Sequence, residues 1–242
     1  MPWQQEYIEK YYSASSGWTD GTTDFHQLCT EAIPAGSDIL EIGSGPPNPT
    51  STFLATIGKV RGVDIDPDVG LNDALESAHV LTEDKYPFPD ETFDACVSNY
   101  VVEHVADPQA HLREIARVLK PGGVYVFRDP NFFHYVSIVS HLTPHWFHEL
   151  VANRLRNLPA ESHDPYPTQY KMNTRRTLVK YATEAGFDID ELRFIEKEPM
   201  YGLSSKVLFF AFMGYERVVN RSDVLSPLRA NILAVLRKPI SE

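Results

Sequence analysis

Glu41, Gly43, Ser44, Gly45 and Asp64 have the types and spacing to hold a small ligand that carries positive charge. The first four lie in Asp38-Ile39-Leu40-Glu41-Ile42-Gly43-Ser44-Gly45-Pro46-Pro47-Asn48-Pro49-Thr50, an apolar run that ends in an acid and then a glycine turn. Glycine has no Cβ, so backbone can come very close to a ligand there. A carboxylate just before the turn is awkward for a phosphate and suited to an ammonium. Asp64 follows Gly45 by about 20 residues, the separation at which an acid accepts hydrogen bonds from the hydroxyls of a ribose. Further on, Asn99-Tyr100-Val101-Val102-Glu103-His104 places an amide, a carboxylate and an imidazole close together. Imidazole titrates near neutrality, so His104 has the chemistry of a general base.

These residues need a scaffold of alternating strands and helices. Ile39–Ile42, Val60–Ile65, Ala78–Leu81, Phe93–Ser98 and Val124–Phe127 read as five strands. Helical spacing joins Phe25, Leu28, Cys29 and Ala32 before Pro34. A second helix runs through Leu54 to Ile57, with Thr50 or Ser51 as its cap. A third spans Pro108 to Leu119, with Leu112, Ile115, Ala116 and Leu119 on one face. Pro121-Gly122-Gly123 is read as its stop. This order implies an α/β fold: a Rossmann-like, doubly wound, mostly parallel seven-stranded sheet with helices on both faces. Ligands of such sheets bind beyond the carboxyl ends of the strands, where the residues named above fall. The pattern breaks over 130–172, read as a substrate-side cap insertion after the fifth strand. It resumes with a helix capped by Thr174 and stopped at Gly186. A strand over Ile189–Ile195, a helix over Val207–Val219 and a last strand over Ala230–Leu236 follow. One domain over 1–242 is expected, with 1–32 as an N-terminal helix and lid in which Tyr11, Tyr12 and Trp18 close over the ligand.

The 242 residues are 43% hydrophobic and 23% charged, with a net charge of −11. A substantial core can be buried, and generic binding of polyanions is disfavoured. Cys29 and Cys96 have neither metal-type spacing nor the look of a disulfide framework, which suits a reducing cytosol. Met1–Glu6 shows no basic-then-apolar leader, and Val207–Met213 is far short of the ~20 residues of a spanning helix. A cytoplasmic protein without a membrane span is expected. Val207–Met213 is expected to be core or, in a homodimer, subunit interface.

Five blocks, in this order, resemble the class I S-adenosylmethionine-dependent methyltransferases of small-molecule type. They are Leu40-Glu41-Ile42-Gly43-Ser44-Gly45; Gly62-Val63-Asp64; Pro87-Phe88-Pro89-Asp90-Glu91-Thr92-Phe93-Asp94; Val102-Glu103-His104-Val105; and Glu114-Ile115-Ala116-Arg117-Val118-Leu119-Lys120-Pro121-Gly122-Gly123. The resemblance covers Ile33 to Phe127 and, more weakly, Asn173 to Pro239. It implies S-adenosyl-L-methionine as methyl donor, with Glu41 near the methionine ammonium. Gly43, Ser44 and Gly45 would wrap methionine and ribose, Asp64 would hold the ribose diol, and Ile65 would pack on adenine. Asn99 would face the same crevice. The family has an acid and a small residue five and four positions before the Pro-Phe pair, where this chain has Thr82 and Glu83. Thr82, Glu83 or Asp84 is left to make the adenine N6 contact. Pro46-Pro47-Asn48 replaces a further glycine and stiffens the loop. A nicotinamide dehydrogenase also uses glycines and a later acid, but Glu41 and the block after the fourth strand have no place in that reading.

Methyl transfer from a sulfonium needs an in-line nucleophile held close to the methyl group. His104 and Glu103 are the catalytic candidates, although such a Glu-His pair also serves structure or the cofactor within the family. Ubiquinone-pathway O-methyltransferases and small-RNA 2′-O-methyltransferases carry a Glu-x-x-Glu-His metal motif. Tyr100 replaces its first acid here and removes a ligand, so no metal is expected; Glu103 and His104 with His134 or His163 are the residues a cation would use. The insertion holds His134, His145, Trp146, His148, His163 and Tyr170, followed by Arg175 and Arg176. Histidines and aromatics in an irregular segment suit substrate recognition, while Trp146, Phe147 and Leu150 could equally pack a cap helix. His134, Tyr170 and Arg175 are taken as substrate residues. A cation at a helix start is disfavoured by the helix dipole, so Arg175 implies an anionic partner. The function expected is methyl transfer to an oxygen or nitrogen of a small molecule (a metabolite, sugar or natural-product intermediate), with no nucleic-acid partner. The alternatives are an RNA methyltransferase, which the acidic charge opposes, and a non-catalytic donor-binding partner subunit.

Overall fold

The computed structural model describes residues 3–13, 17–83, 85–142 and 166–240. In chain order the helices are α1 (Trp3–Tyr11), α2 (Gly21–Ala32), α3 (Pro49–Ile57), α4 (Pro108–Val118), α5 (Tyr135–Leu142), α6 (Arg175–Glu184) and α7 (Lys206–Val219). The strands are β1 (Ser37–Ile42), β2 (Gly58–Asp64), β3 (Ser77–Val80), β4 (Phe93–Asn99), β5 (Leu119–Pro130), β6 (Asp188–Ile195) and β7 (Asn231–Arg237). The chain forms two compact units. The larger comprises 25–130, 169–193 and 232–242, and the smaller 1–24, 131–168 and 194–231.

In the larger unit the seven strands lie in the order β3-β2-β1-β4-β5-β7-β6. β1 pairs in parallel with β2 and β4, β2 with β3, and β4 with β5. The Gly122 N–H donates to the Lys238 carbonyl and the Lys238 N–H to the Gly123 carbonyl, each at 2.9 Å. The end of β7 therefore lies beside the start of β5, and those two strands run antiparallel. The sheet winds outward in both directions from β1, so a crevice opens beyond the carboxyl ends of β1 and β4. β1 is buried at all but one of its positions, as a central parallel strand covered on both faces must be.

Local chemistry sets where the helices begin and end. α3 is capped by Asn48, whose side-chain Oδ1 accepts from the Thr50 and Ser51 N–H groups at 2.9 and 3.0 Å, with Pro49 in the first turn. The expected cap at Thr50 or Ser51 is therefore two or three residues late; an Asn-Pro pair supplies both the acceptor and a preset φ. α4 buries Leu112, Ile115 and Val118 and ends before Leu119, where β5 starts. Pro121-Gly122-Gly123 is thus not a helix stop. It forms an irregular first stretch of β5, opposite the register shift between Phe93 and Ala95, and Gly122 has φ +79°. Thr174 caps α6 as expected, in a reciprocal box with Thr177. Gly186 closes that helix with φ +81°.

The smaller unit is built on aromatic packing. Phe209 of α7 is fully buried, and the rings of Trp3, Tyr7, Tyr11 and Tyr12 lie 5.6–6.4 Å from it. The Tyr12 hydroxyl donates to Glu216. Tyr135 of α5 stacks on Phe212 at 5.1 Å. The segment after β5, expected to lack a period, forms α5. His145, Trp146, Phe147, His148, Leu150 and His163 lie outside the described residues.

Candidate active site

The turn after β1 is fixed by backbone geometry and by two amides. Gly43 and Gly45 have φ +69° and +51°, a region that favours glycine. A Cβ on Gly43 would collide with Val101, whereas beside Gly45 only Asp64 Oδ2 lies near. Gly43 thus serves packing, and Gly45 leaves room for a ligand. The Ser44 side chain is buried over Gly62, where a Cβ would strike it, and its hydroxyl is 3.5 Å from the Val63 carbonyl. The Ser44 carbonyl accepts from Asn48 Nδ2 at 2.7 Å. Asn72, buried on the far side, sets its Nδ2 3.2–3.4 Å from the carbonyls of Ser44, Gly45 and Pro46 and 2.9 Å from Ser51 Oγ. The loop that Pro46 and Pro47 stiffen is thereby held from two sides.

Two carboxylates flank this turn. Asp64 Oδ2 accepts from the Gly45 N–H at 2.7 Å, and its Oδ1 accepts from the Asp66 N–H at 2.8 Å. Each oxygen keeps a lone pair for a further donor. Ile65, next along, is 59% exposed. Thr82 and Glu83 are exposed after β3, and Asp84 lies outside the described residues. Glu41 is buried at the end of β1. Burial pushes its carboxyl up to about 7, a hydrogen bond from Ser51 acts in the opposite sense, and Asp64 adds to the rise. Ser51 Oγ accepts from Asn48 and Asn72, so its own proton goes to Glu41. Among the described residues Glu41 Oε2 has no hydrogen-bond partner. An unmatched buried carboxyl oxygen beside an open glycine turn and an oriented second carboxylate fits a ligand with an ammonium and a diol, as S-adenosylmethionine has.

Beyond β4, Asn99 bridges two elements. Its Nδ2 donates to Thr50 Oγ1 at 3.1 Å, and its Oδ1 accepts from Arg128 Nε at 2.8 Å. The Arg128 guanidinium is buried over the rings of Tyr100 (4.7 Å) and Phe25 (5.4 Å). Tyr100 holds φ +59°. Glu103 and His104 follow in a 3₁₀ turn, Val102–His104, with His104 Nε2 3.9 Å from Glu103 Oε1. Glu103 is buried and hydrogen-bonded to Asp129 at the end of β5. Burial, then the Glu103 charge, holds the Asp129 carboxyl well above the usual carboxylate range. The two acids share a proton. Asp129 also accepts from the Val102 N–H at 3.0 Å and from Asn173 Nδ2.

The remaining sequence candidates fall in different places. The Tyr170 N–H donates to the Glu103 carbonyl at 3.1 Å, and Tyr170 has φ +50°. Arg175 is exposed at the first residue of α6. His134 belongs to the smaller unit, where it is buried with Nε2 3.4 Å from Glu196 Oε2. Burial pushes the His134 imidazole down to about 4 and the Glu196 carboxyl up to about 8, so both favour their neutral forms. Among the described residues no group of three or more His, Cys, Asp or Glu side chains could hold a metal ion, and His163 lies outside them.

Comparison with known proteins points the same way. Residues 40–127 match the family described as a methyltransferase domain. A demethylmenaquinone methyltransferase from Tropheryma whipplei is 29% identical over 199 residues, which cover 77% of this chain and 76% of that protein. A solved S-adenosylmethionine-dependent methyltransferase from Methanosarcina mazei superposes with a TM-score of 0.55 at 18% identity, over 88% of this chain and 98% of the other. The cyclase SpnF superposes with a TM-score of 0.56 at 17% identity, over 93% and 84%. A shared fold alone therefore does not fix the reaction. Residues 40–127 are thus a methyltransferase domain by their family match, and the chain has the fold of the class I S-adenosylmethionine-dependent methyltransferases. That domain and that fold indicate S-adenosylmethionine as the methyl donor.

Proposed function

We propose that the protein transfers the methyl group to an oxygen or nitrogen atom of a small-molecule acceptor. The observation that carries this reading is the placement of His104, half-buried and flanked by the Glu103–Asp129 pair, just beyond β4 in the unit that holds the glycine turn. The methyltransferase relative is named for a small-molecule acceptor, demethylmenaquinone, and the net charge of −11 disfavours a polyanion.

S-adenosylmethionine, when bound, supplies an electrophilic methyl on its sulfonium. Glu41 Oε2 receives the ammonium, the Asp64 carboxylate receives the ribose hydroxyls, Ile65 covers adenine, and Thr82 or Glu83 meets its edge. Asn99 acts through Thr50 and Arg128 to hold the crevice wall. His104 would take the acceptor's proton at an imidazole nitrogen as the acceptor atom bonds the methyl carbon and the carbon–sulfur bond of the sulfonium breaks, with adenosylhomocysteine as the neutral leaving group. The proton-sharing acids beside it stabilise the imidazolium. Tyr170 and Arg175 address the acceptor, Arg175 through an anionic group.

A metabolite screen scored by adenosylhomocysteine release tests the reading. A small acceptor should turn over, and His104→Ala should slow it by about 10²-fold or more at neutral pH. Asp64→Ala should weaken binding of donor and product alike. Turnover on RNA in place of any small acceptor, or full activity of His104→Ala, would overturn it.

A further inference from the structure

One side of α7 is buried and the other is bare. Phe209, Glu216 and Val219 are buried, whereas Val207, Phe210 and Val218 are 79%, 41% and 57% exposed. Ala211 and Gly214 are exposed as well. At 3.6 residues per turn these five positions form one continuous arc. Lys206, Arg217 and, just past the helix, Arg221 are exposed along one margin of that arc. The acid within α7, Glu216, lies on the buried side, where Tyr12 and Asn220 donate to it and Arg217 Nε is 3.3 Å away.

α1 widens the surface. The Tyr7 and Tyr11 rings lie 5.5 and 6.0 Å from that of Phe210. Lys206 Nζ sits 5.3 Å from the Tyr7 ring, and Lys10 Nζ 5.3 Å from the Tyr11 ring. The exposed acids nearby are Glu6 and Glu9 of α1, the latter accepting from Gln5, and Asp223, which pairs with Arg229.

An aliphatic arc edged by cations, with tyrosines at its rim, suits a helix lying in a lipid headgroup layer. The apolar side chains enter the acyl boundary, the cations meet anionic headgroups, and the tyrosines straddle the two. In a chain of net charge −11 a cationic face is an exception that asks for an anionic partner. A second copy fits less well, because two-fold pairing would bring the same cations of both copies together. We propose that α1 and α7 dock this protein peripherally on a bilayer surface containing anionic lipid. The inference is independent of the acceptor's identity.

Cosedimentation of the full chain with vesicles tests it, using phosphatidylcholine alone and phosphatidylcholine with phosphatidylglycerol. The protein should partition onto the anionic vesicles at low salt and be released at high salt. Lys206→Glu with Arg221→Glu should reduce that partition about tenfold or more, and Phe210→Glu should reduce it as well. Adenosylhomocysteine binding, followed by calorimetry, should be unchanged in both variants and so report an intact fold. Should Phe210→Glu fail to fold, the exposed Lys206 and Arg221 decide the matter. Absence of binding, equal binding to both vesicle types, or a dimer in sedimentation velocity that these variants dissolve would overturn the proposal.

Discussion

Burial keeps Glu41 half-protonated near neutrality, although a cationic ligand needs it ionised. Between pH 4.5 and about 7 the folded protein holds a proton that the unfolded chain has released, so this residue subtracts stability as pH rises through that window. Ligand binding reverses the preference. Donor affinity should therefore rise with pH up to about 7, with proton release on binding, and Glu41→Gln should flatten the profile. Calorimetry in buffers of different ionisation enthalpy reads both, and an unchanged profile in the variant would remove Glu41 from the ammonium site. Asn72 makes a second residue-scale case. Its amide holds three loop carbonyls and the hydroxyl that serves Glu41. Asn72→Ala should weaken adenosylhomocysteine binding about tenfold, the worth of one or two buried hydrogen bonds. Asn72→Asp should be worse, because a carboxylate cannot donate and would face carbonyl oxygens. Equal binding by all three proteins would show that the loop holds its shape without this amide.

At the scale of elements, Asp129 and Asn173 form a clamp. It ties the end of β5 to the turn after β4 and to the start of α6: Asn173 Nδ2 reaches both the Asp129 carboxylate and, at 2.9 Å, the Pro130 carbonyl. Asn173→Ala should lower stability by about 1–3 kcal/mol, since it leaves buried acceptors unmatched. Denaturant unfolding of the variant checks this, and an unshifted midpoint would rule out the clamp. Burial and the Glu103 charge raise the Asp129 carboxyl above its ordinary range, so this acid subtracts stability as pH rises from the ordinary carboxylate value through its folded-state titration, while the Asn173 and Val102 hydrogen bonds act in the opposite sense. The mostly parallel seven-stranded sheet and its carboxyl-end crevice were legible in sequence because apolar runs and intervening helical periods carry them. Glu41 and Asp64 were legible because their roles depend on position relative to a strand end. Asn72, Arg128, Asp129 and Asn173 were not. Asn72 meets Ser51 across 21 residues and Asn173 meets Asp129 across 44, pairings fixed by the sheet's topology, which leave no spacing signal. The Asn48 cap is hidden for a different reason: its Asn-Pro pair directly continues the glycine loop, with no break in sequence to mark where the helix begins.

Across the whole molecule, the alternating pattern belongs to the larger unit, while the smaller one is assembled from three distant chain segments. Its aromatic core of Trp3, Tyr7, Tyr11, Tyr12 and Phe209 joins the N-terminus to α7, a union that no local period announces. The turn described in the larger unit has a consequence of another kind. On the proposed reading, Glu41, Gly45 and Asp64 address the ammonium and the ribose, groups that the spent donor keeps after the methyl has gone. None of them senses the methyl itself. Spent and fresh donor then compete for the site on nearly equal terms, so throughput follows the ratio of the two, and clearing adenosylhomocysteine away counts as much as supplying donor.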